Sequence, residues 1–186
     1  VAGEIEDAIE RADRESFTRQ PPKTLKGQIG YLLKQMGSAK AVAQELGVTA
    51  DSVNRYRRGA RKHARADVAA KIDDAVRQRW QPQVRKRRQR QAAASGGITV
   101  ETRARFGYTA PVGTTDDGRF RRLTVHLPPA YAQRLFDARN TGAGDQEMRG
   151  IIAEGFKEIY FQDGGGRATG LSDVTLNDID YLDLDY

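Results

Sequence analysis

At Gly96-Gly97 the hydrophobic pattern of this chain switches from helical to strand periodicity. Before the glycines, Ile5, Ala8, Ile9, Ala12 and Phe17 share one helical face, as do Leu25, Ile29, Leu32, Leu33 and Met36, while Val68, Ile72, Val76 and Trp80 recur every fourth residue. After them, Ile98, Val100, Thr102, Ala104, Phe106 and Tyr108 alternate with Thr99, Glu101, Arg103, Arg105 and Gly107, as in a half-buried strand. The two periods predict an α+β protein. An all-α domain carrying a helix-turn-helix would cover residues 1–90, and a smaller α+β domain with strands, two helices and an acidic C-terminal strand would cover 98–186. Residues 91–97, Gln91-Ala92-Ala93-Ala94-Ser95-Gly96-Gly97, are small and read as the linker between them.

Punctuation refines these segments. Gln20-Pro21-Pro22 closes the first helix, Thr24 is placed to cap the second, Gly37 ends it, and Pro82 interrupts the third stripe. In the second half the turn-rich residues 110–118 precede a strand containing Leu123, Val125 and Leu127, which Pro128-Pro129 stops. Helices are expected near 129–139 and 145–161, and Gly164-Gly165-Gly166 reads as a flexible joint. Residues 174–186 interleave Asp with Ile, Tyr and Leu, the mark of a strand with one acidic face.

The formal charge of +6 on 186 residues is unevenly spread. Residues 51–95 hold fourteen Lys/Arg against four Asp, whereas 172–186 hold five Asp and no base. A cationic cluster of this kind gains by releasing counterions from a phosphate backbone, which makes nucleic acid the leading partner. A membrane surface is disfavoured, because Val84-Arg85-Lys86-Arg87-Arg88-Gln89-Arg90-Gln91 has a single apolar residue to insert. No run approaches the roughly 18 apolar residues of a membrane span and the first residues are acidic, so a cytoplasmic chain is expected. With no cysteine and two isolated histidines, His63 and His126, the sequence offers no thiol nucleophile and little basis for a metal site.

Residues 38–59 have the spacing of a helix-turn-helix. Val42, Ala43 and Leu46 lie on one short helix, Gly47 stands at the bend, and Val48, Val53 and Tyr56 follow. Close crossing of two helices needs a small residue, Ala43, and the tight turn favours a residue tolerant of positive φ, Gly47. The second helix would then expose Thr49, Asp51, Ser52, Asn54, Arg55 and Arg58 to a major groove, where Asn54 and Arg55 can read adenine and guanine edges. Arg57, Arg58, Arg61 and Lys62 suit phosphates, as do Arg85, Lys86, Arg87, Arg88 and Arg90 of the basic run.

A second unit, Arg119-Phe120-Arg121-Arg122-Leu123-Thr124-Val125-His126-Leu127-Pro128-Pro129 followed by two helices, has the order of ribbon-helix-helix proteins, whose paired strands enter the major groove of DNA as a homodimer. Arg122, Thr124 and His126 would share its polar face. The strand at 98–108 is a rival partner and would make the sheet intramolecular.

Further motifs are Arg79-Trp80-Gln81-Pro82, the run Gly96-Gly97-Ile98-Thr99-Val100-Glu101-Thr102-Arg103-Ala104-Arg105-Phe106-Gly107-Tyr108-Thr109-Ala110-Pro111, Leu127-Pro128-Pro129-Ala130-Tyr131-Ala132, Glu158-Ile159-Tyr160-Phe161 and Asp178-Ile179-Asp180-Tyr181. With the helix-turn-helix, they make the chain resemble, nearly end to end, the telomere terminal proteins of linear Streptomyces chromosomes and plasmids. The resemblance implies a protein covalently attached to the 5′ end of telomeric DNA, priming the synthesis that fills the recessed strand and remaining as a cap. It implies two protein partners, a telomere-associated protein that recognises the overhang and a DNA polymerase, and a place on the nucleoid at DNA ends. It also implies a threonine hydroxyl as primer. The matching segment is Gly113-Thr114-Thr115-Asp116-Asp117, with Thr114 or Thr115 as nucleophile and Asp116 and Asp117 in support. Such a protein is not itself an enzyme and has no cofactor of its own, the dNTP and Mg ion belonging to the polymerase reaction. Tyr108, a competing hydroxyl, alternates onto the face of Phe106 and is assigned to packing.

An alternative uses the same helices without a covalent link: a helix-turn-helix transcriptional repressor with a C-terminal dimerisation domain. The acidic tail has two readings, folding over the Arg-rich 77–90 segment or serving as an edge strand for self-association. A free-standing enzyme finds no phosphate-binding Gly-Lys-Thr loop, metal cluster or Ser-His-Asp set in the sequence.

Overall fold

A computed structural model describes residues 3–109 and 119–186. Among them are eight α-helices and three strands, an α+β protein as its two periodicities predict. No helix of the described residues is long and apolar enough to cross a membrane. The chain forms two compact units, one from residues 17–82 and the other from residues up to 16 together with 83–186.

The 17–82 unit is all helical: α2 (Leu25–Met36), α3 (Ala39–Leu46), α4 (Ala50–Arg58) and α5 (Ala66–Arg79). Each of the first three is started by a hydroxyl cap, with Thr24, Ser38 and Thr49 accepting from the amides of Gly27, Ala41 and Ser52 at 3.1–3.2 Å. Each is ended by a left-handed glycine, Gly37, Gly47 or Gly59. Ile29, Leu32, Val42, Leu46, Val53 and Ile72 are completely buried in its core. Trp80 closes that core from beyond the end of α5: its ring lies 4.8 Å from that of Tyr31, and its indole N–H donates to the Arg19 carbonyl at 2.9 Å.

The other unit is a three-stranded antiparallel sheet in the order β2-β1-β3, with β1 at Ile98–Thr109, β2 at Phe120–Leu127 and β3 at Asp173–Asp185. One face of the sheet carries Ile98, Val100, Phe106, Leu127, Leu176 and Leu184. It packs in one cluster with α1 (Glu4–Glu15), α7 (Pro129–Asn140) and α8 (Asp145–Gly155). The opposite face is polar. A π-helical segment, Phe156–Phe161, extends α8.

Three sequence expectations are corrected, and one choice that the sequence left open is decided. First, α1 is not part of the N-terminal helical domain. Its stripe of Ile5, Ala8, Ile9 and Ala12 packs in the sheet unit, α1 is held beside β3 by Arg11 and Asp183 at 3.1 Å, and the Ile5 amide donates to Asp145 of α8 at 2.9 Å. Second, 91–97 is not an open linker. The basic run forms α6 (Pro82–Gln91), with Pro82 starting that helix, and continues as a π-helical turn, Ala92–Gly96, in which Ala92 is buried. Third, of the two pairings open to β2 the one with the 98–108 strand forms, Ile98 opposite Leu127 through Arg105 opposite Phe120, so the sheet is intramolecular. Fourth, the acidic tail is not draped over the basic segment. It is β3, paired with β1 along its length, and Asp185 reaches Arg88 only at 3.9 Å.

Candidate nucleic-acid interface

The local sequence explains how α3 and α4 are posed. Gly47 adopts φ 67°, which lets the chain reverse within a short turn, and the Val48 amide donates back to the Ala43 carbonyl at 3.0 Å. Ala43 is buried where the helices approach. Val53 and Tyr56 turn α4's apolar side inward, so Asp51, Arg55, Arg57 and Arg58 are all exposed on its other side, and Arg61 and Lys62 continue the exposed cations beyond Gly59. Asn54 and Ser52 are half-buried on the flanks.

Several of these side chains have local partners. Arg55 pairs with Asp51 one turn earlier at 2.7 Å, both about half-exposed, a contact water weakens and a phosphate can displace. The Arg58 guanidinium donates to the Asn54 carbonyl at 3.4 Å. The Thr49 hydroxyl caps α4 and lies 3.0 Å from the Ser52 hydroxyl, so these two hydroxyls are engaged in starting the helix.

The basic run of α6 belongs to the other unit and is divided by its helical period. Lys86, Arg87 and Arg90 are exposed and Arg88 is half-buried. Arg85, expected at a phosphate, is instead only 7% exposed and ion-paired with Asp13 of α1 at 3.5 Å. Asp13 is completely buried and also receives Arg139 of α7 at 3.3 Å and the Tyr186 hydroxyl at 2.7 Å. A buried carboxylate needs several donors to offset its lost hydration, and here three segments far apart in sequence supply them. Burial works against the charge on Arg139, but its hydrogen bonds with Glu6 and the charges of Glu6 and Asp13 outweigh it and hold the guanidinium firmly protonated. Sequence reading missed this cluster, since a lone Asp on a helix carries no sign of partners so distant.

The polar face of the sheet carries Arg122, Thr124 and His126 on β2, all exposed. Arg122 donates to Glu101 at 2.7 Å, and the His126 ring lies 3.0 Å from the Thr99 hydroxyl. The hydrogen bond from Arg122, followed by that from Tyr181, holds the Glu101 carboxyl below the ordinary carboxylate range. Phe120, 47% exposed, has the guanidinium groups of Arg105 and Arg103 at 5.2 and 5.7 Å from its ring centre. The run Arg119-Phe120-Arg121-Arg122 was the available signal for this exposed ring.

Thr114, Thr115, Asp116 and Asp117 lie outside the described residues. Among tyrosines, a hydroxyl that attacks phosphorus must lose its proton, and three phenols are held against that. Burial, together with Glu158 beside Tyr131, Glu101 beside Tyr181 and Asp13 beside Tyr186, raises each above the ordinary tyrosine range.

Comparison with protein-family models, curated proteins and solved structures yields no match.

Proposed function

We propose that this chain binds duplex DNA through α4 and serves as a protein primer at a telomeric 5′ end. The observation that carries the DNA-binding half is the division of α4, with Val53 and Tyr56 in the core and Arg55, Arg57, Arg58, Arg61 and Lys62 exposed beyond them. With α3 packed behind and Gly47 between, the arrangement supports a helix-turn-helix reading, in which the second helix lies in the major groove. Arg55 and Asn54 would read base edges there, and the remaining cations would neutralise phosphates.

The priming half rests on the resemblance of the sequence to telomere terminal proteins. In that role the hydroxyl oxygen of Thr114 or Thr115 attacks the α-phosphorus of a dNTP. A phosphoester forms, the bond to the β-phosphate breaks, pyrophosphate leaves, and the hydroxyl proton passes to a base in the polymerase site. The polymerase supplies the metal ions and the transfer chemistry, and a telomere-associated protein recruits the pair to the overhang.

Binding of a labelled duplex by Arg55→Ala/Arg58→Ala, measured against salt, tests the interface. The double variant should weaken binding and reduce the slope of log K against log salt by about 0.9 for each phosphate contact removed. Binding equal to wild type at every salt concentration would remove α4 from the interface. Specific binding with no nucleotide attachment would favour the repressor.

A further inference from the structure

Where β1 and β2 end beside the π-helical segment after α8, a cavity of about 410 Å³ opens between the side chains of Tyr108, Tyr160, Phe161, Arg121, Arg167 and Leu171. Its wall is aromatic: the rings of Tyr108 and Tyr160 stand edge-on to Phe161, with centres 5.1 and 5.0 Å away. Tyr160 is one of two large apolar side chains left exposed among the described residues, at 38%. The Tyr160 ring is exposed over a concave site, where a flat ligand could stack on it.

The charge of the cavity narrows the ligand. Two guanidinium groups reach it and, among the described residues, no carboxylate lines it. Arg121 lies 5.9 Å from the Tyr108 ring centre, and among the described residues no carboxylate oxygen is within salt-bridge distance of it. Arg167 donates to the Tyr160 carbonyl at 3.4 Å and meets Asp163 loosely at 3.9 Å, both side chains being about two-thirds exposed. By contrast, the cavity at Arg103 and Arg149 is neutralised by Glu4, Asp178 and Asp180. Stacking surface and unneutralised guanidinium together select a planar ring bearing an anion. The volume falls in the range of small-ligand sites.

We propose that this cavity binds a nucleotide, with the base stacked on Tyr160 and Phe161 and the phosphate held by Arg121 and Arg167. In chain order Tyr108 and Arg121 flank residues 110–118, which hold Thr114 and Thr115. The role of the site, holding the nucleotide to be joined or the terminal nucleotide of a single strand, rests on the priming reading, whereas its existence does not.

The full chain is titrated with each dNTP by calorimetry and with a fluorescein-labelled 12-mer of single-stranded dT by anisotropy, without polymerase. Saturable binding of dNTP identifies a free nucleotide as occupant, and binding of the 12-mer alone identifies a strand; both support the site. Tyr160→Ala and Arg121→Ala should each weaken that binding about ten-fold, and Tyr160→Phe should retain it. No binding of either probe by wild type, or equal binding by wild type, Tyr160→Ala and Arg121→Ala, overturns the proposal. Nucleotide binding that persists in a chain never labelled at Thr114 or Thr115 removes the priming reading alone, while labelling indifferent to Tyr160→Ala removes the site's role in priming and leaves its existence to the binding titrations.

Discussion

Gly97 shows how a single residue positions the sheet. Its φ is 69°, and a side-chain carbon placed there would overlap the Leu127 carbonyl oxygen and the His126 ring, because the chain enters β1 directly against the end of β2. Gly97→Ala is therefore expected to destabilise the sheet unit by about 1–3 kcal/mol or more, seen as a lowered thermal midpoint; an unchanged midpoint would mean the turn can relax. The paired glycines were legible as a break in pattern, and Thr24, Gly37, Ala43 and Gly47 as helix punctuation, since caps and tight turns use residues within a few positions of one another. Asp13 and Arg85 were not legible. Their meeting joins positions remote in sequence, and a basic run looks the same whether or not one of its arginines turns inward.

At the scale of elements, strand and helix periods located β1, β2, β3 and most helices, but period says which face is apolar and not what covers it. The stripe of α1 could have served either core and packs in the sheet unit, and the alternation that marked the Asp-rich tail as a strand did not say that Val174, Leu176, Leu182 and Leu184 join the core with α1. Two irregularities of register, at Arg103 to Ala104 and Ala104 to Arg105, leave Asp180 and Asp178 unpaired in the ladder and facing those arginines at 2.6 and 3.4 Å. Across the other pair of strands, Glu101 meets Arg122. Because the folded carboxyl titrates below its unfolded value, the unfolded chain takes up the proton first on acidification. The resulting stability is fully present above the ordinary glutamate range and is lost as pH falls through the lower folded value. Glu101→Gln should thus unfold more easily than wild type at about pH 6, with the gap narrowing as pH falls below the ordinary glutamate range, as measured by thermal melts; a gap that stays constant with pH would assign the effect to packing.

At the scale of the molecule, the division at residues 16 and 82 reassigns the N-terminal helix and α6 to the sheet unit. The four helices of residues 17–82 enclose their own core, so this segment alone is expected to give a cooperative helical melt and to bind duplex DNA with a salt dependence reduced by removing Arg55 and Arg58. A non-cooperative melt would mean that its stability depends on the remainder of the chain. The proposed function is covalent: under it, this protein receives the first nucleotide of a DNA strand. The most direct measurement is transfer of label from α-labelled dNTP to the full chain in the presence of telomeric overhang DNA, the telomere-associated protein and a DNA polymerase. Wild type should be labelled, and either Thr114→Val or Thr115→Val should abolish label while retaining duplex binding. An unlabelled wild type that binds DNA under complete conditions, or full labelling of the double Thr114→Val/Thr115→Val variant, would contradict it.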